Sequence, residues 1–440
     1  MSEKFALARR SRYWLAGARA PWTVLDPAPQ PLNPEGLAEI DLLIDDGRIA
    51  AAGRGAAEAD AETPRLSLGL KIVLPTFVDA HTHLDKGHIW PRAPNVARDF
   101  PCALQTVADD REARWTSSDV AARMEFSLRA AYAHGTSLMR THLDSLGKQT
   151  RISWPVFAEA RERWRGRIEL QASPLFAIEH ALDDAHMADV EAMIDEHGSG
   201  VLGAVTHMAP ELRPALEAMF RLAERKGWEL DFHVDETLDP EARSLCIVAE
   251  TALAERFSGR ILVGHCCSLA RQADDERKRT IELVARARMS VVSLPMCNMF
   301  LMDRQAGRTP RWRGVTALQE LQAAGVRTMI ASDNTRDPFY AYGDLDMLEV
   351  WREGVRILHL DAPFADWAPA VFTRPALALG PEGGVIGVGA PADLVVTEAR
   401  NFTELFSRPQ SNRLVIRAGV GIESEPPDYR DLDSLEGLSL

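Results

Sequence analysis

The sequence predicts an α/β fold, namely a (β/α)8 TIM-like barrel with a small β-sandwich domain formed by both termini. Eight short apolar runs recur through the middle of the chain, and amphipathic helical patterns fill the gaps between them. A strand followed by a helix takes ~30 residues or more, so eight such units in succession predict a barrel. Both ends of the chain read instead as short β-strands. At 440 residues, the chain has room for a barrel of ~250 residues and an accessory domain.

The two ends of the chain share this β character. Residues 1–69 contain IDLLIDDGRIAAAG, in which apolar runs flank the turn signal DDGR. Residues 376–440 contain GGVIGVGAPADLVVTEA and RLVIRAGVGIES, which are apolar runs interrupted by glycine. We therefore expect residues 1–69 and 376–440 to form the β-sandwich, and residues 70–375 to form the barrel.

The middle of the chain supplies the strands and helices of the expected barrel. The eight strand candidates, in order, are IVLPTFVDAHTH, TSLMRTHLD, RIELQAS, GVLGAVTHM, ELDFHVDE, RILVGHC, MSVVSLP and RTMIASDN. Helical patterns lie between them, for example ALEAMFRLAERKG and TIELVARAR. The first interval is longer than the others, and WPRAPNVARDFPCALQ (90–105) within it reads as a loop over the barrel mouth.

Composition narrows the possible partners and the location. The formal net charge is −14 and the basic residues are scattered, so a nucleic-acid polymer is not an expected partner. No apolar run is long enough for a transmembrane helix, and the N-terminus lacks an apolar signal core, so neither a membrane association nor secretion is expected. The five cysteines form no C-x-x-C pair. These features favour a cytoplasmic protein without disulfides.

Polar residues follow several of the predicted strands, where the catalytic groups of such a barrel lie. His81 and His83 are two residues apart on a strand, so their side chains share a face. A third nitrogen from His233 and an oxygen from Asp333 would complete a site with a position left for water, as in catalytic Zn²⁺ or non-haem Fe²⁺ sites. An H-x-H pair alone is often only a polar segment; the further residues at strand ends favour a metal site.

The neighbours of these residues suggest how the site acts. Glu236, three residues after His233, is placed to move a proton between water and a leaving group, and His265 to orient the water. Asp333 can both bind the metal and accept a proton. The simpler alternatives are an exposed loop acid for Glu236 and a buried, hydrogen-bonded imidazole for His265. The fourth strand, VLGAVTHM, has no Lys, Asp or Glu to bridge a second ion, so one metal is expected.

The sequence leaves the roles of four further residues open. His142 and His207 also close strands, and both packing under the site and substrate contact remain open for them. Asp85 and Lys86 lie past the end of the first strand, near the expected substrate entrance, and are candidates for specificity.

The segments FVDAHTHLDK, LDFHVDE, GHCC and SDNTRDPFYAYGDLDML together resemble the amidohydrolase superfamily, and within it the cytosine deaminase branch, from about residue 40 to 420. The resemblance implies one Zn²⁺ or Fe²⁺ on His81, His83, His233 and Asp333. It implies that Glu236 delivers a proton to a ring nitrogen while His265 steadies the water that the metal activates. A small heterocycle would lose its exocyclic amine as ammonia. Such enzymes are often oligomeric, so a homo-oligomer is expected.

The sequence departs from the cytosine deaminase pattern around the expected substrate. Those enzymes carry a Gln after the third strand that pairs with the amide edge of the pyrimidine, and here the position falls at or near Ala177. Asn334 replaces a second Asp, and Phe339 replaces a Trp. The smaller, more apolar wall favours a larger ring, such as a pterin or a purine-like base, over cytosine. Arg304, in a loop with three more arginines, is a candidate for contact with an oxo-rich or carboxylated substrate; a solvated loop is the alternative.

Two other functions remain open from the sequence. The same site can act on another C–N bond, by opening a ring amide or releasing an alkylamine from a triazine-like ring. A non-catalytic scaffold that keeps the barrel is less favoured, because all four candidate ligands and Glu236 are present.

Overall fold

A computed structural model describes residues 10–28, 33–380, 383–423 and 425–436. The strands, in chain order, are β1 Arg12–Pro21, β2 Leu25–Asp26, β3 Leu37–Asp45, β4 Arg48–Gly53, β5 Arg65–Ser67, β6 Val73–Pro75, β7 Phe77–Thr82, β8 Thr136–Asp144, β9 Glu169–Leu175, β10 Val201–Thr206, β11 Glu229–Val234, β12 Ile261–His265, β13 Ser290–Ser293, β14 Arg327–Ile330, β15 Ile386–Gly387, β16 Leu394–Val396, β17 Leu414–Arg417 and β18 Val420–Gly421.

The helices alternate with the central strands. The α-helices are Phe100–Arg114, Ser117–Ala133, Thr150–Trp164, Asp184–His197, Leu212–Lys226, Ser244–Ala254, Asp274–Arg286, Pro295–Leu301, Leu318–Ala323, Met347–Leu358, Thr373–Leu379, Phe402–Ser407 and Asp433–Glu436. Short 3₁₀ segments occupy Trp22–Val24, Ala56–Ala59, Gly147–Gln149, Ile178–Leu182, Cys267–Arg271, Phe364–Val371 and Tyr429–Leu432. The fold is mixed α/β, as predicted. None of the helices in the described ranges combines the length and the apolar character that crossing a membrane requires.

The chain divides into two compact units. The first comprises residues 1–79, 129–138 and 346–426, and the second residues 80–128, 139–345 and 427–440. In the first unit, one four-stranded sheet has the order β4-β3-β1-β5 and another the order β18-β17-β16-β6, while β15 pairs with β2. One apolar cluster takes residues from both chain ends, among them Tyr13, Leu42 and Ile416. Distant segments of the sequence thus share one core.

The turn signal DDGR joins β3 to β4. Asp45 pairs with Arg48, which leaves Asp46 and Gly47 as a two-residue loop. Their φ angles are 46° and 79°, the positive values that a type I′ hairpin turn requires at both positions. Gly and Asp tolerate this backbone region better than most residues, so the local sequence sets the turn.

A buried ion pair stabilises the first unit. Arg413 Nη1 donates to Asp346 Oδ1 over 2.8 Å, and Arg413 Nη2 donates to Asp346 Oδ2. Asp346 also caps the helix Met347–Leu358 by accepting from Leu348 N over 3.0 Å. Burial acts to raise the pKa of Asp346, but Arg413 and His134 outweigh it and lower the pKa from 3.8 to about 2.

We expect Arg413→Met to lower the free energy of unfolding by ~3 kcal/mol near pH 7, because it leaves the Asp346 carboxylate buried without its cation. The pKa of Asp346 is depressed on folding, so its contribution is present above about pH 4 and is lost as the pH falls towards 2. The gap between wild type and variant should therefore narrow over that window in denaturant titrations. The exposed Arg408→Met serves as the control. An undiminished gap at pH 2 would contradict the role given to this ion pair.

Eight strands of the central segment form two sheets. The five-stranded sheet has the order β10-β11-β12-β13-β14 with all neighbours parallel, and the three-stranded sheet has the order β7-β8-β9. Isolated parallel bridges join Thr82 to Asp333 and Ala177 to Val205. Every strand candidate from the sequence is a strand in the structure. Their carboxyl ends carry the polar residues described below.

The segment 90–105 is not entirely a loop, contrary to expectation. A helix begins at Phe100, where the Asp99 side chain accepts from Cys102 N over 2.8 Å and Pro101 occupies the first turn. An aspartate at the N-cap followed by a proline in the first turn is a strong helix start. The prolines earlier in the segment hid this signal.

Candidate active site

Three histidines and one aspartate converge at the ends of β7, β11 and β14. His81 Nε2 lies 3.1 Å from His233 Nε2, which lies 3.4 Å from His83 Nε2. Asp333 Oδ1 lies 3.1 Å from His83 Nε2 and 3.6 Å from His81 Nε2. All four residues are at least 95% buried. The structure thus brings together the ligands expected from the sequence.

This geometry fits one transition-metal ion. Ligand atoms ~2.0–2.2 Å from a common ion lie ~3.0–3.6 Å from one another, and the four distances given above, 3.1 to 3.6 Å, fall within this range. Burial, followed by the neighbouring histidines, lowers the pKa of His81 and His233 well below 6.5, so the imidazoles are neutral. Neutral imidazole is the form that binds metals. The nitrogen and oxygen donors suit Zn²⁺ or Fe²⁺ better than Ca²⁺ or Mg²⁺.

A polar network contacts Nδ1 of His81, the ring nitrogen that does not face His233. His142 Nε2 lies 3.1 Å from His81 Nδ1, and Arg140 Nη1 donates to Asp231 Oδ2 over 3.1 Å. Asp231 Oδ1 lies 3.9 Å from His142 Nε2. Such outer partners fix the tautomer and orientation of a ligating histidine. His142 therefore packs against His81 and His233, and it is not among the residues that line the cavity described below.

Glu236 and His265 form a second cluster beside these four residues. Glu236 Oε1 lies 3.3 Å from His265 Nδ1, and the Asn298 amide donates to Glu236 Oε1 over 3.3 Å. The Asn298 amide nitrogen also lies 2.9 Å from His265 Nδ1. Burial, and then the Asp333 carboxylate, raises the pKa of Glu236 well above 4.5. A carboxyl group with a raised pKa can carry a proton near neutral pH, as general acid–base chemistry requires.

Several site residues have strained backbone conformations. The φ angles of Asp235, His265, Cys266 and Asp333 are 48°, 70°, 51° and 67°, in the left-handed region that non-glycine residues seldom occupy. Surrounding bonds hold these turns; for example, the Asp235 carboxylate accepts from Ser244 N and Leu245 N. Strain of this kind persists where the structure fixes the direction of a functional side chain.

A cavity of about 1110 Å³ opens at the site. His83, His233, Glu236 and His265 line it. The five candidate substrate-binding residues line it as well, namely Ala177, His207, Arg304, Asn334 and Phe339. Cavities for small ligands commonly measure ~300–1,000 Å³, so this one has room for more than a single six-membered ring.

The candidate substrate-binding residues differ in how their side chains are held by neighbouring groups. His207 is exposed and pairs with the Glu179 carboxylate. Asn334 donates to Asp337 Oδ2 over 2.7 Å, and the Phe339 backbone N–H donates to Asp337 Oδ1 over 2.8 Å. Asp337, which the sequence did not single out, thus fixes two of the cavity-lining residues.

The arginines after β13 have separate partners. Arg304 lines the cavity, its guanidinium lies 4.2 Å from the Phe300 ring centroid, and it donates to Phe300 O over 3.0 Å. Arg308 instead pairs with the Asp303 carboxylate. Arg304 is therefore the member of this group that is placed to meet a ligand.

Comparison with known proteins identifies the class that this fold and site define. A model of the amidohydrolase family matches residues 177–422, and the chain belongs to the amidohydrolase family. A pterin deaminase of Rhizobium rhizogenes is 54% identical over 404 residues, which cover 92% of each chain.

Solved structures resemble the fold over nearly its whole length. The 5-methylcytosine deaminase of Klebsiella pneumoniae superposes with a TM-score of 0.80 at 22% identity, covering 94% of this chain and 98% of that one. The N-isopropylammelide isopropylaminohydrolase of Burkholderia multivorans has a TM-score of 0.72 at 25% identity over the same shares. The superfamily membership expected from the sequence is confirmed.

Proposed function

We propose that this protein is a pterin deaminase that hydrolyses the exocyclic amine of a 2-amino-4-oxopteridine to ammonia. Hydrolytic deamination of an amino-substituted heterocycle, which the sequence predicted, is confirmed by the 54% identical relative and its shared length. The further step to pterin rests on that relative and on the roomy cavity with Ala177 in its wall. The observation that carries the proposal is the convergence of His81, His83, His233 and Asp333 beside Glu236.

The proposed cofactor is one divalent transition metal, Zn²⁺ or Fe²⁺, on His81, His83, His233 and Asp333. Such an ion supplies Lewis acidity, which makes water a nucleophile near neutral pH. Strand β10, VLGAVT, contains no carboxylate or lysine that could bridge a second ion, so we propose a single metal ion.

Side chains of this protein carry out the proton transfers. The protonated Glu236 donates to the ring nitrogen next to the carbon that bears the amine. His265, 3.3 Å from Glu236, orients the attacking water, and Asp333 accepts a proton from it. Water adds to the carbon, and the carbon–nitrogen bond then breaks as the amine takes the proton held by Asp333 and leaves as ammonia. The new hydroxyl gives its proton back to Glu236 and becomes the carbonyl.

The proposal also covers the domain architecture, the oligomeric state and the cellular location. The eight strands β7 to β14, with bridges at Thr82–Asp333 and Ala177–Val205, fit a (β/α)8 barrel. The sequence-based bounds, a β-sandwich from 1–69 and 376–440 around a barrel from 70–375, stay a prediction. A cytoplasmic homo-oligomer that binds neither nucleic acid nor membrane is our expectation for the assembly.

The test is ammonia release from pterin, isoguanine, cytosine and aminotriazines by protein loaded with Zn²⁺ or Fe²⁺. We expect pterin to give the highest kcat/KM. A higher value for cytosine or isoguanine, or no ammonia from any of them, would overturn the assignment to pterin.

Release of an alkylamine from a triazine is the second candidate, favoured by the 25% identity to the N-isopropylammelide enzyme. Incubation with N-isopropylammelide distinguishes the two, because this activity yields isopropylamine and no ammonia.

A further inference from the structure

Lys86 is a buried cation on the cavity wall. It follows the end of β7, is 5% exposed and lines the cavity beside His83. Its ammonium lies 5.0 Å from the centroid of the Phe339 ring. Its ion pair with Asp144 Oδ1 spans 3.7 Å, which is longer than a hydrogen bond. An ammonium carries three donors, so Lys86 has donors to offer a ligand.

Asp144, the partner of Lys86, is held from two sides. It ends β8, and its backbone N–H donates to Asp85 Oδ2 over 2.9 Å. Its carboxylate accepts from Arg111 Nη1 over 2.7 Å. Asp144 is 5% exposed and lines the same cavity. The cavity therefore presents a fixed donor and a fixed acceptor next to each other.

This pair matches the amide edge of a heterocycle. A ring N–H beside a ring carbonyl needs one acceptor and one donor at neighbouring positions. The glutamine that serves this purpose in cytosine deaminases has no polar counterpart at Ala177. Lys86, after β7, and Asp144, at the end of β8, offer a donor and an acceptor in the same cavity.

We propose that Lys86 and Asp144 bind the amide edge of the substrate: the ammonium donates to the oxo oxygen and the carboxylate accepts from the ring N–H. This inference rests on the proposed deamination. In pterin this edge adjoins the carbon that bears the amine. Because both groups are buried, a ring without the oxo group leaves Lys86 without that partner, and a site of this kind rejects such a ring strongly.

The test compares two substrates and two lysine variants. We expect wild type to favour pterin over 2,4-diaminopteridine, in which an amine replaces the oxo group and the neighbouring ring nitrogen carries no hydrogen, by ~100-fold or more in kcat/KM. Lys86→Met should reduce kcat/KM for pterin by ~100-fold and leave the diamino compound within ~10-fold, so that the preference falls by ~10-fold or more. Lys278→Met, on the exposed face of helix Asp274–Arg286, should keep the preference. Metal content and Tm report whether each variant is folded.

Asp144→Asn provides an independent arm if Lys86→Met fails to fold. This variant should lose the preference for pterin over 3-methylpterin, which lacks the ring N–H. An equal loss on both members of a substrate pair, or an unchanged preference, overturns the inference, since a merely structural ion pair predicts one of these.

Different results would show that this inference is wrong and that the proposed function is wrong. If wild type releases ammonia from cytosine but from no pteridine, pterin is wrong as the substrate. The same variants are then compared on cytosine and on 4-aminopyrimidine, which lacks both the oxo group and the ring N–H, and the preference for cytosine is expected to fall in the same way.

Discussion

Replacing Glu236 by Gln is expected to leave the metal content unchanged and to reduce kcat by ~10³–10⁴-fold, because the amide cannot carry the transferred proton. The glutamine side chain has nearly the same size and keeps a carbonyl oxygen for the Asn298 amide, which donates to Glu236 Oε1 over 3.3 Å in the wild type. The loss should therefore appear in kcat more than in KM. Steady-state ammonia release, with metal measured on the same samples, checks this result.

The control for this experiment is Glu282→Gln, an exposed position on helix Asp274–Arg286. It should keep both activity and metal. A rate near wild type for Glu236→Gln would remove Glu236 from the proton transfer, and a parallel loss of metal would make it a ligand instead.

His233→Ala is expected to lower both metal content and activity. His233 Nε2 lies within 3.4 Å of the ring nitrogens of both His81 and His83, so its loss removes one donor from the centre of the set. Disturbing an outer partner of a metal ligand costs ~10–100-fold in affinity, and removing the ligand itself should cost at least as much. Titration of the metal-free protein with Zn²⁺, followed by a metal-sensitive dye, measures the affinity apart from activity.

His197→Ala, at the end of helix Asp184–His197, is the matched control and should bind Zn²⁺ as wild type does. Full Zn²⁺ affinity in His233→Ala would contradict the ligand set. Activity restored by excess Zn²⁺ would place the defect in binding rather than in folding.

The sequence predicted the strands, and it predicted which four side chains converge at their ends, because both depend on local patterns. Each central strand is a short apolar run that ends at a polar residue, and the alternate spacing of His81 and His83 marks a shared strand face. Asn298 could not be found this way: it lies within PMCNMFL, a short helix that shows no periodic pattern. Its contacts with Glu236 and His265 arise only when β11, β12 and this helix come together.

The burial of Lys86 could not be predicted from the local sequence either. The sequence placed it near the substrate entrance, but lysines are usually exposed, and nothing local predicts 5% exposure. The partnership with Asp144 links the ends of two neighbouring strands, β7 and β8, across a long insertion. Burial and pairing of this kind follow from the tertiary fold.

The proposed metal ligands also lie on both sides of a weakly paired junction between two of the central strands. Neighbouring strands from β10 to β14 share three to six paired residues, whereas β7 and β14 are joined by the Thr82–Asp333 bridge and by Asp333 N donating to His81 O over 2.8 Å. A bound ion would act there as a cross-link between the first and last strands, which adds the free energy of metal binding to the folded state. Amide hydrogen exchange around residues 81–83 and 333 should accelerate when a chelator removes the ion, before exchange in β10 to β13 does. The ion would then stabilise the pairing of β7 with β14 in addition to its role in the reaction.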